Sequence, residues 1–196
     1  MKYLLQAQHL LDRAKTIDFL GPLALRIYLA PLFILAGYGK LAHIDDVAGW
    51  FDSLGLPAPY LMTYLAGLTE FLGGIALLLG LAVRWFALPM MFTMVVAASV
   101  HWDNGWHALP ESELVVPWEW RKDLLAEAQT RRQKARALLQ EHGNYDWLTE
   151  TGSITILKNG IEFAATYFIM LLMLFFTGAG KYLSLDYWLA RRFSPA

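Results

Sequence analysis

The sequence contains no cysteine. That excludes disulfides, thiolate zinc sites, cysteine-ligated iron–sulfur clusters and thiol redox chemistry by the chain itself. Charge is scarce too: Asp, Glu, Lys and Arg make up 17% of the 196 residues, against about 25% in a typical soluble domain. A formal net charge of −1 offers no basic face for nucleic acid, which is excluded as a partner. No Gly-rich phosphate loop, metalloprotease helix motif or nucleophile-plus-base signature is present. What fills the sequence instead is apolar: 57% hydrophobic residues, with eight Trp, eleven Phe and a mean hydropathy of +0.37. That leaves too little polar surface to solvate a globular domain, and the lipid bilayer becomes the expected partner.

A hydrocarbon core of about 30 Å needs about 20 helical residues, and four stretches of that kind occur. The predicted spans are residues 20–42, broken by Arg26 and Lys40; 60–83, carrying Glu70 alone; 85–102, free of Asp, Glu, Lys and Arg; and 161–180, carrying Glu162. The fold class is therefore all-α: one polytopic membrane domain over 1–196, a four-transmembrane-helix bundle with an amphipathic helical insertion between helices 3 and 4. Leu54–Pro59 reads as a turn, and Arg84 marks a tight turn between the second and third spans. Pro31 and Pro89 fall inside spans, where kinks are expected. Residues 1–18 are interrupted by Asp12, Arg13 and Lys15, which argues for a short interfacial helix rather than a signal peptide.

The insertion covers 103–158. Its surface helix is predicted over about 118–142, with apolar residues at Leu124, Leu125, Ala128, Ala135, Leu138 and Leu139 and a stop at Gly143. Trp102, Trp106, Trp118, Trp120 and Trp147 suit the depth of a bilayer interface. Orientation follows from Lys2, Arg13, Lys15, Arg84, Lys181, Arg191 and Arg192. With four spans these share one side, which places the termini in the cytoplasm and the insertion in the periplasm.

Ionisable groups inside a bilayer are costly unless partnered, so Arg26, Lys40, Glu70, His101 and Glu162 are the buried polar candidates. Arg26 and Glu70 are separated by roughly 6–9 Å of depth, a gap an arginine side chain can largely cover. They are the expected ion pair, while Lys40, His101 and Glu162 lie toward the outer ends of their spans. The structural alternative is that these groups only fix packing or snorkel to the interface. Gly67, Gly73, Gly74 and Gly80 read as helix-packing positions. Met90, Met91, Met94, Met170 and Met173 are either soft copper ligands or ordinary core filler. His101 and His107 are the metal candidates, although a six-residue spacing matches no standard ligand signature.

The stretches LALRIYLAPLFILAGYGKL, E-x-x-G-G-x-x-L-L-x-G-L-x-x-R from Glu70 to Arg84, and GAGKYLSLDYWL resemble the DoxX family of small four-helix membrane proteins. By that resemblance Arg26, Lys40, Glu70, Arg84, Lys181 and Asp186 occupy family positions. HWDNGWHAL, EHGNYDWLTETGS and LKNGIEFAATYFIMLLMLFF are similar to the HvfX-type branch, encoded with copper-binding modified peptides. That similarity adds Asn104, Trp106, Asn144, Asp146, Trp147 and Asn159 to His101 and Glu162.

The resemblance implies an inner-membrane accessory or partner subunit in the maturation or handling of a copper-binding modified peptide. Its partners would be peptide-maturation proteins or the peptide itself, with a homo-oligomer as a further option. One alternative is a quinone-linked membrane oxidoreductase subunit in which Glu70, Arg26 or His101 manages protons. Another is a small-molecule or metal-ion carrier, which the absence of an inverted repeat disfavours for a single copy. The possible cofactors are accordingly copper or quinone.

Overall fold

A computed structural model describes residues 8, 12, 14–107, 116–152 and 158–193. Most of the predicted N-terminal interfacial helix lies outside the described residues. The part that is described is a 3-10 turn, Ala14–Ile17. The chain forms two compact units, Met1–Thr93 with Tyr167–Ala196, and Met94–Thr166.

In the first unit, α1 runs over Leu20–Ala42, α2 over Ile44–Ser53 and α3 over Pro59–Leu79. Helix α4 covers Val83–Val100, continuing into the second unit. The described helices run through both Pro31 and Pro89. Helix α3 begins with Pro59 at its first position, where the missing N–H costs nothing. It ends at Gly80, whose φ of 65° is the left-handed geometry that terminates helices. The tight turn thus lies at Gly80–Ala82 rather than at Arg84, which already belongs to α4. Helix α2 was not anticipated, because residues 44–53 carry three aspartates. Its apolar face nevertheless buries Ala48 and Phe51.

Helices α1 and α3 pack against each other extensively and antiparallel. The contact is made by small residues, because apolar solvent leaves van der Waals packing as the main attraction between spans. Gly37 lies on the backbone of Phe71 and Gly67, and a Cβ on Gly74 would stand 2.8 Å from the Ile34 nitrogen. Gly73 leaves room for Met90, which is fully buried. Met91 and Met94 are buried as well. The outward residues are large and apolar, Leu35 and Phe92 each 68% exposed, as suits a surface that faces hydrocarbon.

Among the described residues three helical segments are long and apolar enough to cross a membrane: Lys15–Ala42, Pro59–Leu79 and Val83–Val100. The fourth apolar helix, α7, spans Glu162–Thr177, after α5 at Lys122–His142 and α6 at Tyr145–Leu148. Its 16 residues reach about 24 Å, short of the predicted 161–180. The glycines at 178 and 180 adopt positive φ and end the helix early.

In the second unit a 3-10 turn, Trp102–Asn104, follows α4. The segment after it is tied to the start of α7: Ile161 N–H donates to Gly105 O and Glu162 N–H to Trp106 O, each at 3.0 Å. Helix α5 begins at Lys122 and not near residue 118, because Trp118–Arg121 is held in irregular backbone by the Glu119 contacts described below. It buries Leu125 and Ala128, while Leu138 is exposed, and stops at Gly143 as expected.

Candidate functional site

Three polar clusters emerge, two in the first unit and one in the second. The first surrounds Arg26, only 2% exposed. Its guanidinium donates from Nε to Leu77 O at 2.6 Å, from Nη2 to Leu78 O at 3.0 Å, and from Nη1 to Ala179 O at 2.8 Å and Leu183 O at 3.0 Å. Leu77 and Leu78 sit in the last turn of α3, where carbonyls lack the usual partner four residues on, although Leu77 O also accepts from Gly80 N–H at 3.2 Å. Arg26 therefore closes that helix end and fastens the 179–183 segment to it. The expected Arg26–Glu70 pair does not form. Leu77 lies seven residues, about 10 Å, beyond Glu70, and the guanidinium's donors are taken up by the four carbonyls around it. Asp186 does the complementary task, its carboxylate accepting from Ala82 N–H at 2.6 Å and Val83 N–H at 3.1 Å at the start of α4. Its own N–H donates to Gly80 O at 2.9 Å.

Around this end lies an open cleft of about 730 Å³, whose lining includes Asp18, Arg84, Lys181 and Asp186. Arg84 Nη2 donates to Phe176 O at 3.1 Å. Lys181 Nζ meets the Asp18 carboxylate at 3.0 Å, which raises the ammonium pKa above its ordinary value.

In the second cluster Lys40 Nζ lies 2.6 Å from Glu70 Oε2. The Glu70 side chain is 6% exposed and that of Lys40 25%. This short contact joins α1 to α3 beside Gly67, against which Leu41 and the Lys40 Cβ pack.

The third cluster centres on Glu119, whose side chain is fully buried. It accepts from three backbone N–H groups: His107 at 2.8 Å, Arg121 at 2.8 Å and Trp106 at 3.2 Å. Lys158 Nζ, also buried, stands 3.6 Å away. Burial alone pushes this carboxyl up, but the amides of His107, Arg121 and Trp106, with Lys158, outweigh it and hold it below the usual carboxylate range. Gly105, at φ 84°, leaves room for the carboxylate where a Cβ would collide with it. His107 accepts from Val116 N–H at Nε2, 3.2 Å, and presents Nδ1 to Glu162 at 3.8 Å. Two tryptophan pairs frame the cluster: Trp102 with Trp120 at 4.9 Å between ring centroids, and Trp106 with Trp118 at 5.9 Å, edge to face. On the exposed side, Arg121 binds Asp123 and holds its carboxyl down at about 2.

The remaining sequence candidates fall into place around these clusters. Asn104 donates to Asn159 O at 2.9 Å. Asn144 caps α6 by accepting from Trp147 N–H at 3.3 Å, with Asp146 in the same turn and Trp147 exposed. His101 is half-buried and receives Asn104 N–H on its backbone carbonyl. Among the described residues no three His, Cys, Asp or Glu side chains converge as a metal centre. Both His107 ring nitrogens face protein partners, Nε2 the Val116 N–H and Nδ1 Glu162. Sequence reasoning missed Glu119, Lys158 as its partner, and the buried Thr63 and Ser184. A carboxylate between two tryptophans, at WEW, was the available signal for Glu119.

Apolar spans joined by small residues, with their charges paired or spent on helix ends, define a helical membrane protein. The sequence model of the DoxX family matches residues 21–102, the stretch that holds α1 to α4. Among curated relatives, "Inner membrane protein YqjF" of Escherichia coli (strain K12) is 35% identical over 88 residues, 44% of this chain and 66% of that protein. "Putative oxidoreductase CatD" of Bacillus subtilis (strain 168) is 30% identical over 78 residues, 40% of this chain and 57% of that protein. The chain thus spans less than two thirds of the length of either. No solved structure matches significantly.

Proposed function

We propose that this chain is a multi-pass protein of the bacterial inner membrane that acts as a partner subunit in the maturation or handling of a copper-binding modified peptide. The observation that carries the partner role is the 94–166 unit. Most of it lies beyond the DoxX match, yet its described residues gather hydrogen bonds on Glu119 and present Trp102, Trp118 and Trp147 more than half exposed. Exposed tryptophans on a braced scaffold suit docking to a protein, a peptide or the bilayer interface. The name of the Escherichia coli relative supports the membrane, and the HvfX-like motifs of the insertion support the pathway. Copper in this reading is cargo of the peptide, not a resident of the chain.

In this topology α7 crosses as a short fourth span, accommodated by local bilayer thinning. Arg84, Lys181, Arg191 and Arg192 then lie on the cytoplasmic side, and the insertion in the periplasm. Photo-crosslinking from positions 118 and 147 in cells tests the partner role. Adducts with the maturation proteins or the peptide are expected, and adducts with lipid alone would overturn it. Because the chain has no cysteine, single Arg192→Cys and Glu150→Cys variants, both at exposed positions, report sidedness by labelling with an impermeant thiol reagent.

A second reading, a quinone-linked oxidoreductase subunit, draws on the name of the Bacillus relative and on the Lys40–Glu70 pair within the spans. Its test is a quinone-dependent difference spectrum of the purified protein that is lost in Glu70→Gln.

A further inference from the structure

The 730 Å³ cleft beside Arg84 has a neighbour. A second groove of about 480 Å³ is lined by Gly21, Pro22, Ala24, Leu25 and Tyr28 of α1 and by Met170, Met173 and Thr177 of α7. The two share Pro22 and Thr177 in their linings, so they lie side by side. Residues 21, 24, 25 and 28 follow the i, i+3, i+4, i+7 spacing of one helix face, and 170, 173 and 177 do the same on α7. The groove therefore runs along both helices for about 10 Å, from the polar cleft toward the interior of the spans, and its lining is apolar apart from the Thr177 and Tyr28 hydroxyls.

The charges of the cleft are unequally committed. Asp186 spends both carboxylate oxygens on backbone N–H groups. Asp18 and Lys181 neutralise each other at the rim, each about half exposed. Arg84 makes one hydrogen bond, to Phe176 O, and among the described residues has no carboxylate partner. An uncompensated guanidinium therefore stands in the cleft next to an apolar groove, a combination that matches a molecule with an anionic head and a hydrocarbon tail.

We propose that cleft and groove together hold one anionic phospholipid, with its phosphate on Arg84 and one acyl chain along the α1 face of Gly21, Ala24, Leu25 and Tyr28. Trp85, 76% exposed, lies beside the same cleft, where an indole at headgroup depth would flank the lipid.

Native mass spectrometry of the full chain, released from detergent after exposure to phosphatidylglycerol or phosphatidylcholine, tests this. One phosphatidylglycerol retained per chain in preference to phosphatidylcholine is expected. Arg84→Gln and the groove-filling Ala24→Phe should each weaken that retention by about tenfold, while Leu35→Phe, on an exposed face elsewhere on α1, should leave it unchanged. Millimolar inorganic phosphate should not displace the lipid; displacement would assign the cleft to a free anion. Equal retention of the two lipids, retention unchanged in both variants, or a quinone found in place of the lipid would overturn the proposal. Should Arg84→Gln fail to fold, Ala24→Phe against Leu35→Phe decides the matter.

Discussion

Glu70 and Glu119 are both buried carboxylates, and the protein satisfies them by different means. Glu70 lies within α3, where backbone N–H groups are already consumed by the helix, so a side-chain cation must come to it. Lys40 does so at 2.6 Å. Glu119 lies in irregular backbone, where amide N–H groups are available, and takes three of them with Lys158 in support. A carboxylate inside a span thus depends on one partner, whereas one among loops can be held by the chain itself. Arg26 is the cationic counterpart of Glu119, since it too binds backbone, here the carbonyls at a helix end.

The sharpest way to test this contrast is to remove a backbone-binding group. Arg26→Ala removes the side-chain donor to four carbonyls and should destabilise the first unit by about 5 kcal/mol, read as a lowered unfolding temperature in detergent. Arg26→Lys should recover only part of the loss, because an ammonium cannot span four acceptors. Glu119→Ala leaves three amides and a buried ammonium unpaired and should cost about 4 kcal/mol. Limited proteolysis should then cut within 116–121 while sparing α1 and α3.

The Lys40–Glu70 pair should behave differently. Glu70→Leu alone should cost about 2 kcal/mol, since Lys40 is partly exposed, whereas Lys40→Met with Glu70→Leu should return to within about 1 kcal/mol of the parent. Equal losses in the single and double variants would show that the pair is not the coupling between α1 and α3. Gly105→Ala, which brings a Cβ onto the Glu119 carboxylate at positive φ, should cost about 2 kcal/mol.

The smallest effect is that of pH. The Glu119 pKa is depressed in the folded state, so its stabilisation is fully present above the unfolded carboxylate value near 4.5 and is lost as pH falls through the lower folded value. Tryptophan fluorescence of the 94–166 unit should therefore hold from pH 7 to about 4.5 and change only below that.

Much of the architecture was legible in the sequence because hydrophobic span length is a one-dimensional property. Residues 20–42 emerged with the predicted bounds, and Gly37, Gly67 and Gly74 lie where backbones approach, although Gly37 was not singled out. The residues Arg26, Arg84, Lys181 and Asp186, chosen by family resemblance, gather at one end of the first unit. Helix α2 was hidden by its three aspartates, and α5 starts later than its composition suggested because Glu119 recruits the preceding backbone. Asn104 and Asn159 proved to be partners, a pairing of residues far apart in sequence that no local pattern displays.

Composition alone therefore determined that this is a helical membrane protein without cysteine chemistry, because apolar length and missing thiols need no three-dimensional context. Which charges meet was decided only by the tertiary structure. Depth arithmetic paired Arg26 with Glu70, but partner choice depends on lateral position and on which backbone groups lack hydrogen bonds. Those are set by where helices end, and so Arg26 went to the end of α3 while Lys40 was left for Glu70.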